Sequence, residues 1–374
     1  MFHFILAAPW FVVVLRFVPA LPLVLPTKLT LAAVLLVASQ HLLINRITSG
    51  SVFSPEYPRP FIILLNLLFG AMVFLAVFQI ALDLMSLIIA AAKGRFPQVP
   101  VEVRYAMGVV AVGLAAYAVS QAICLPAVKN VDITIAGLPP EFEGYRILQL
   151  TDLHISRLFP ARWAEALASS SNALDVDLIA ITGDFIDGTV EKRRDDVAPL
   201  AMLRARDGVL GIPGNHEYFF GYDDWMRHDR SLGIQMLENQ HVVLKRGDAS
   251  LVIAGVTDLA ASRSSFPAPN LNAAIRDAPA GVPIILLDHQ PRMAEQAAKS
   301  GVALQLSGHT HGGMVTGLDR LVARSNNGFV SGRYNIGTMQ LYVNNGTALW
   351  PGFALRIGRP SELTVFILRG SGKR

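Results

Sequence analysis

Tyr145-Arg146-Ile147-Leu148-Gln149-Leu150-Thr151-Asp152-Leu153-His154 is an apolar run of strand length that ends in two polar side chains spaced by two. At a strand end that spacing sends both side chains to the same side, where they can grip one cation. The pattern recurs downstream. Leu178–Ile181 leads into Gly183-Asp184-Phe185-Ile186-Asp187, and Val209–Ile212 into Gly214-Asn215-His216-Glu217. Ile284–Leu287 leads into Asp288-His289-Gln290-Pro291, and Leu304–Leu306 into Gly308-His309-Thr310-His311-Gly312-Gly313. Such runs, with Leu251–Ala254, predict strands. Amphipathic stretches at Ala161–Ser170, Val197–Arg204 and Arg292–Lys299 predict helices between them. The layout is α/β with a largely buried sheet. Asp152, Asp184, Asn215, His289 and His309 all fall just after strands, at the edge where open α/β sheets bind ligands. Arg333–Tyr342 and Glu362–Leu368 alternate like antiparallel strands and predict a second sheet packed on the first.

The first third of the chain has a different texture. Over 374 residues, 52% are apolar and 16% charged, with a mean hydropathy of +0.43, which points to sequence embedded in lipid. Apolar segments at 4–24, 29–45, 61–82 and 106–126 predict about four membrane helices, the third being uncharged over about the 20 residues a span needs. Arg16, Pro19, Pro22 and Pro26 complicate the first, which reads as a short helix with a proline-rich re-entry or as a full span with Arg16 snorkelling or paired. A cleavable signal peptide would want basic residues before its apolar stretch, and none stand there, so the segment is expected to be retained. Residues 1–128 are therefore read as the membrane region and 129–374 as the catalytic domain.

Charge separates the same two parts. Residues 1–130 carry eight basic residues against three acidic ones, whereas the remainder holds 24 against 25. The basic character, with a pI near 9.3, belongs to the membrane loops, and the second part has no basic excess to hold a nucleic-acid backbone. Arg16, Lys28, Lys93, Arg95 and Arg104 fall on one side of a four-span arrangement and Arg46, Arg59 and Lys129 on the other, which places the second part outside the cytoplasm. Gln79 and Asp83 lie four apart on one helix face and read as interhelical polar contacts. The one cysteine, Cys124, sits in an apolar stretch, so any metal must be held by oxygen and nitrogen.

The motif residues suit a pair of cations. His309-Thr310-His311 repeats the geometry of Asp152-Leu153-His154, and its flanking glycines permit close backbone approach. Asp184 after a glycine suits a carboxylate bridging two ions, one oxygen to each. Asn215 adds a neutral oxygen and His289 a further nitrogen. This mixed set suits Mn²⁺, then Fe or Zn²⁺, better than Ca²⁺ or Mg²⁺, which prefer oxygen alone. Two such metals can ionise a water and neutralise a phosphoryl transition state. Lys192-Arg193-Arg194 reads as a solvated helix start, His228 and His241 as surface or packing histidines, and the loop Ala261–Asn270 as part of a pocket lid.

The ordered series Asp152-x-His154, Gly183-Asp184-x-x-Asp187, Gly214-Asn215-His216-Glu217, His289 and Gly308-His309-x-His311 resembles the calcineurin-like metallophosphoesterase superfamily over roughly 140–370. The strings around His289, His309 and Leu341-Tyr342-Val343 are similar to its YkuE/YaeI-type branch, and the apolar leader to transmembrane proteins with a metallophosphoesterase domain. The resemblance implies a four-layer αββα sandwich behind an all-α transmembrane region, multi-pass in a bacterial inner (plasma) membrane. It implies one metal on Asp152, His154, Asp184 and His311, and a second on Asp184, Asn215, His289 and His309. A metal-bridging hydroxide would attack phosphorus, His216 would stabilise the transition state or protonate the leaving oxygen, and Asp187 would orient His216. The implied activity is phosphodiester or phosphomonoester hydrolysis, on a substrate that membrane anchoring suggests is lipid-linked. A UDP-2,3-diacylglucosamine pyrophosphatase of lipid A synthesis and a non-catalytic metal-binding membrane receptor or scaffold are the alternatives.

Overall fold

The computed structural model describes residues 2–371, apart from the side chains of residues 2–5 and 263. It divides into two compact units, one of helices up to Ala122 together with Pro351–Leu355, and one holding the remainder from Ile123 onwards.

The helical unit contains α1 (Phe2–Val12), α2 (Leu25–Ser39), α3 (His41–Ser49), α4 (Arg59–Lys93) and α5 (Val101–Ile123). Among the described residues, α4 and α5 are long and apolar enough to cross a membrane, and α2 with α3 qualifies as one further span as a pair bent by 59°. Against the four spans expected from the sequence, the described residues hold two such helices, or three spans if the bent pair is one. The first apolar segment is helical through α1 and on to Ala20. Its helix loosens to a π turn at Val13–Phe17, tightens to a 3₁₀ turn at Val18–Ala20 with Pro19 inside, and then becomes extended at Leu21. Pro26 at the start of α2 fits a helix beginning there rather than one running through.

Arg16 is paired, not snorkelling. Its guanidinium donates twice to Asp83, at 3.0 and 3.1 Å, and Gln79 donates to the same carboxylate at 2.8 Å. Farther along α4, Asn66 gathers three bonds. Its amide nitrogen donates to the Ile62 and Pro351 carbonyls at 3.0 and 2.8 Å, and its oxygen accepts the Ala354 N–H at 2.7 Å. His41 approaches the Gly352 carbonyl at 2.7 Å, and Phe353 meets Phe69 edge-on. These contacts explain why Pro351–Leu355 folds with the helices.

In the second unit, strands β1 (Val128–Ile135), β2 (Arg146–Leu150), β3 (Leu178–Thr182), β4 (Val209–Ile212), β5 (Gln235–Met236) and β12 (Leu363–Gly370) form one six-stranded sheet in the order β1-β12-β2-β3-β4-β5. The other sheet runs β10 (Gly332–Ile336), β11 (Met339–Val343), β9 (Leu304–Ser307), β8 (Ile284–Leu287), β7 (Ala249–Gly255), β6 (Gln240–Arg246). Neighbours β2 to β5 are parallel, as are β7-β8-β9-β11. One core lies between the sheets, where Ile147, Leu178, Ala180 and Leu210 meet Leu251, Ile253, Ile285 and Leu304. The outer face of the second sheet packs Ala254, Leu286 and Leu341 against Ala294 and Ala297 of the helix Ala294–Lys299. Parallel neighbours need crossovers, and helices α6 (Ala161–Asn172) and α7 (Val190–Val197) supply them between the first-sheet strands. With both faces covered, β3 is buried along its whole length. The domain is thus an α/β fold of two packed six-stranded sheets, with apolar helices ahead of it in the sequence.

Two local expectations change. The helix expected at Val197–Arg204 is the end of α7 followed by a 3₁₀ turn at Ala198–Met202, because Pro199 removes an amide donor there. The strands expected to share the second sheet part company: β10 and β11 join it, but β12 inserts between β1 and β2 of the first. Most of β12 is buried, which suits a central position.

Replacing Asn66 with leucine would leave the Pro351 carbonyl and the Ala354 N–H buried and unpaired. Asn66→Leu should therefore cost about 1–3 kcal/mol, read as a lower unfolding temperature in detergent; unchanged stability would show that these bonds are dispensable.

Candidate metal centre

All seven candidate ligands converge where the strands of both sheets end, not along the rim of one sheet. Asp152 and His154 follow β2, Asp184 follows β3, Asn215 opens the short helix α8 (Asn215–Phe219) after β4, His289 follows β8, and His309 and His311 follow β9. The chain bends sharply to bring them in. Asp152, His154, Asp184, His309 and His311 all have positive φ, from 43° to 69°, a left-handed conformation that is costly for residues with a Cβ and that collects at functional sites. The neighbouring glycines are sterically required. A Cβ on Gly214 would stand 2.3 Å from Asp184 Oδ1, and one on Gly308 2.3 Å from Asp152 Oδ2.

Two groups of donors form around Asp184. Asp152, His154 and His311 make one, with His154 Nε2 3.3 Å from His311 Nε2 and His311 Nε2 3.5 Å from Asp152 Oδ1. Asp184, His289 and His309 make the other. The same oxygen, Asp184 Oδ2, lies 3.8 Å from His154 Nε2 and 3.3 Å from His289 Nε2. Its partner Oδ1 accepts the His216 N–H at 2.9 Å. In this arrangement it is Oδ2 that faces both groups.

Protonation states fit a metal-loaded site. Burial and the neighbouring His289 lower His309 to about 3, and burial with His154 holds His311 well below its ordinary value, so both imidazoles favour the neutral form. His154 Nε2 and His311 Nε2 stand 3.3 Å apart beside Asp152, close enough for one cation to accept both. His289 turns Nδ1 to the Thr182 carbonyl at 2.7 Å, which leaves Nε2 for the site. Burial opposes charge on His289, but the Asp184 carboxylate raises its pKa well above the ordinary value; a divalent cation at Nε2 would replace that proton. Asn215 Oδ1 is buried without a hydrogen-bond partner among the described residues. The chain thus presents nitrogen and oxygen donors fit for divalent cations.

Beside the donors stands an acid–base pair. His216 Nδ1 meets Asp187 Oδ1 at 2.5 Å, and Asp187 Oδ2 lies 3.2 Å from His154 Nδ1. The buried carboxylate thus bonds His216 and lies beside the His154 ring. Burial works against charge on His216, but Asp184 and Asp187 outweigh it and raise the pKa to about 9.

Two supports escaped the sequence reading. Glu217 receives the N–H groups of Gly214, Asp184 and Phe185 at 2.6, 3.1 and 2.8 Å, tying α8 to the Asp184 turn. Its place directly after His216 was the available signal. Arg193, expected in a solvated run, is fully buried and donates to the Asp187 carbonyl at 3.0 Å, while Lys192 and Arg194 stay exposed. His241, read from the sequence as a surface or packing histidine, meets the Ala274 carbonyl at 2.7 Å.

A cleft of roughly 670 Å³ opens beside Asn215 and His309. Phe219, Leu259 and Met293 give it apolar walls, and Arg292 and Asn327 polar ones. Ser262 and Ser264 of the loop expected to cover a pocket line it.

The family model for calcineurin-like phosphoesterases matches residues 145–313. The chain is 31% identical over 289 residues to a transmembrane protein with metallophosphoesterase domain from Danio rerio, covering 75% of this chain and 64% of that protein. It is 31% identical over 245 residues to an uncharacterized metallophosphoesterase of Helicobacter pylori, covering 65% and 64%, and 29% identical over 242 residues to the uncharacterized metallophosphoesterase YkuE of Bacillus subtilis, covering 63% and 82%. The match therefore spans 64% of the length of the first two relatives. Ordered motifs, paired sheets and a buried histidine–aspartate centre agree with these similarities: residues 145–313 of the chain carry a calcineurin-like phosphoesterase domain.

Proposed function

We propose that this protein is a multi-pass, membrane-anchored phosphoester hydrolase working with two divalent metals, manganese first among the candidates, in a bacterial plasma membrane. The observation that carries the reading is the single Asp184 oxygen facing two groups of donors, with the His216–Asp187 pair alongside. Residues 1–128 form the membrane region and 129–374 the catalytic domain. Asp152, His154, Asp184 and His311 hold one ion, and Asp184, Asn215, His289 and His309 the other.

When bound, the ions supply Lewis-acid polarisation of a phosphoryl oxygen and lower the pKa of water. The remaining steps belong to side chains. Asp187 accepts the Nδ1 proton of His216, leaving Nε2 to donate a proton to the departing oxygen. The same carboxylate lies beside the His154 ring. The apolar walls of the cleft favour a substrate whose ester carries an apolar part, which agrees with a lipid-linked phosphoester reached from the bilayer surface.

The charge pattern favours a catalytic domain outside the cytoplasm. Lys93, Arg95 and Arg104 flank the turn between α4 and α5, whereas Arg46 and Arg59 lie toward the other end of the helices. The chain leaves α5 at its far end from that turn. Counting from the turn, loss of the first span moves only the N-terminus across the membrane. A C-terminal alkaline phosphatase fusion should be active and a green fluorescent protein fusion dark; the reverse pattern would place the domain in the cytoplasm.

Asp184→Asn removes charge from both ions at once and should lower bound metal and hydrolysis together. A variant with full metal content and full activity would contradict the shared carboxylate. His216→Ala should retain both metals yet lose roughly 10²–10⁴-fold in rate, measured on purified protein with Mn²⁺ and a phosphodiester; unchanged turnover would remove His216 from the chemistry.

A further inference from the structure

Arg356 is among the largest fully buried side chains, at 1% exposure, and lies beyond the segment that the family model matches. Its hydrogen bonds go to backbone carbonyls. One terminal nitrogen donates to His311 and Arg359 at 3.1 and 3.0 Å, the other to Asn345 and Ala348 at 2.6 and 2.9 Å. A planar guanidinium can reach several chain segments at once because its donors are fixed in a fork; the three donors of a lysine leave from one point.

The segments it joins surround one half of the metal centre. Thr347 and Ala348 donate their N–H groups to the Thr151 and Asp152 carbonyls at 2.8 and 3.1 Å, so loop 344–348 grips the strand end that carries Asp152. Gly346 lies flush against His311, where a Cβ would stand 2.9 Å from the imidazole Nδ1. Arg356 closes this loop onto the His311 turn, whose backbone sits at φ 50°. No bond from Arg356 to Asp184, Asn215, His289 or His309 occurs among the described residues.

We propose that Arg356 is a positioning residue for the Asp152/His154/His311 half of the metal centre, holding the His311 turn against loop 344–348 so that both ligand-bearing segments keep one register. This rests on the two-metal reading above. The effect is graded: His289 keeps its own bond to the Thr182 carbonyl, whereas the His309 N–H is tied to the Asp152 carboxylate, so the Asp184–His289 side is disturbed least.

The test is a Mn²⁺ titration of full-length protein in detergent, followed by electron paramagnetic resonance, for wild type, Arg356→Lys and Arg356→Gln. Wild type should take up two ions and show an exchange-coupled pair. Both variants should fill one site with an isolated-ion spectrum and need about 10- to 100-fold more Mn²⁺ for the second, the range typical for loss of an outer support to a metal ligand. Arg356→Lys keeps the buried charge and decides the matter if Arg356→Gln does not fold. Variants that keep wild-type affinity and the coupled spectrum, even with a lower unfolding temperature, would make Arg356 a merely structural residue and overturn the inference. A wild-type protein that never binds a second ion would overturn the two-metal reading itself, and the inference with it.

Discussion

Burial of the Asp184 carboxylate among imidazoles is the constraint on which the rest of the site depends. A charged group removed from water is tolerated only when paired, hydrogen-bonded or bound to a metal. Asp184 has the first two and is placed for the third. Oδ1 is satisfied by the His216 N–H, the turn before it is held through Glu217, and Oδ2 is left facing His154, His216 and His289. Cations at that oxygen would turn a costly cluster of buried donors into a stabilised one.

The fold provides the rigidity this demands. Two sheets share one core and end their parallel strands at the same place, so turns from both sheets carry ligands on short tethers. The left-handed backbone at Asp152, His154, Asp184, His309 and His311 is strain that the surrounding packing holds in place. Glu217, Arg193 and Arg356 are the buried polar residues that lock those turns, each by reaching backbone atoms rather than ligand side chains.

Much of this was legible in the sequence because strand-end chemistry is local. Apolar runs that stop at Asp152, Asp184, Asn215, His289 and His309 identify both the strands and the candidate ligands, and the observed strands match to within about two residues. Long-range partnerships were not legible. Nothing in Leu363–Leu368 says that it inserts between β1 and β2, since an apolar strand can be central in either sheet. The role of Arg356 depends on three turns meeting, and that of Arg193 on one residue of a basic run facing inward. In the helical unit, hydropathy gave apolar segments but not their breaks, which follow from Pro19 and the 59° bend between α2 and α3.

The helices and the domain carry complementary halves of the functional reading: the first brings the chain to a bilayer, the second supplies a cation-ready site with an apolar-walled cleft. The central claim is that one oxygen of Asp184 is shared by two metal ions. An anomalous difference map from crystals of the Mn²⁺-loaded protein tests it most directly. Two peaks about 3.5–4 Å apart, both within bonding distance of Asp184 Oδ2, are expected; one peak, or two that do not share this carboxylate, would contradict the account.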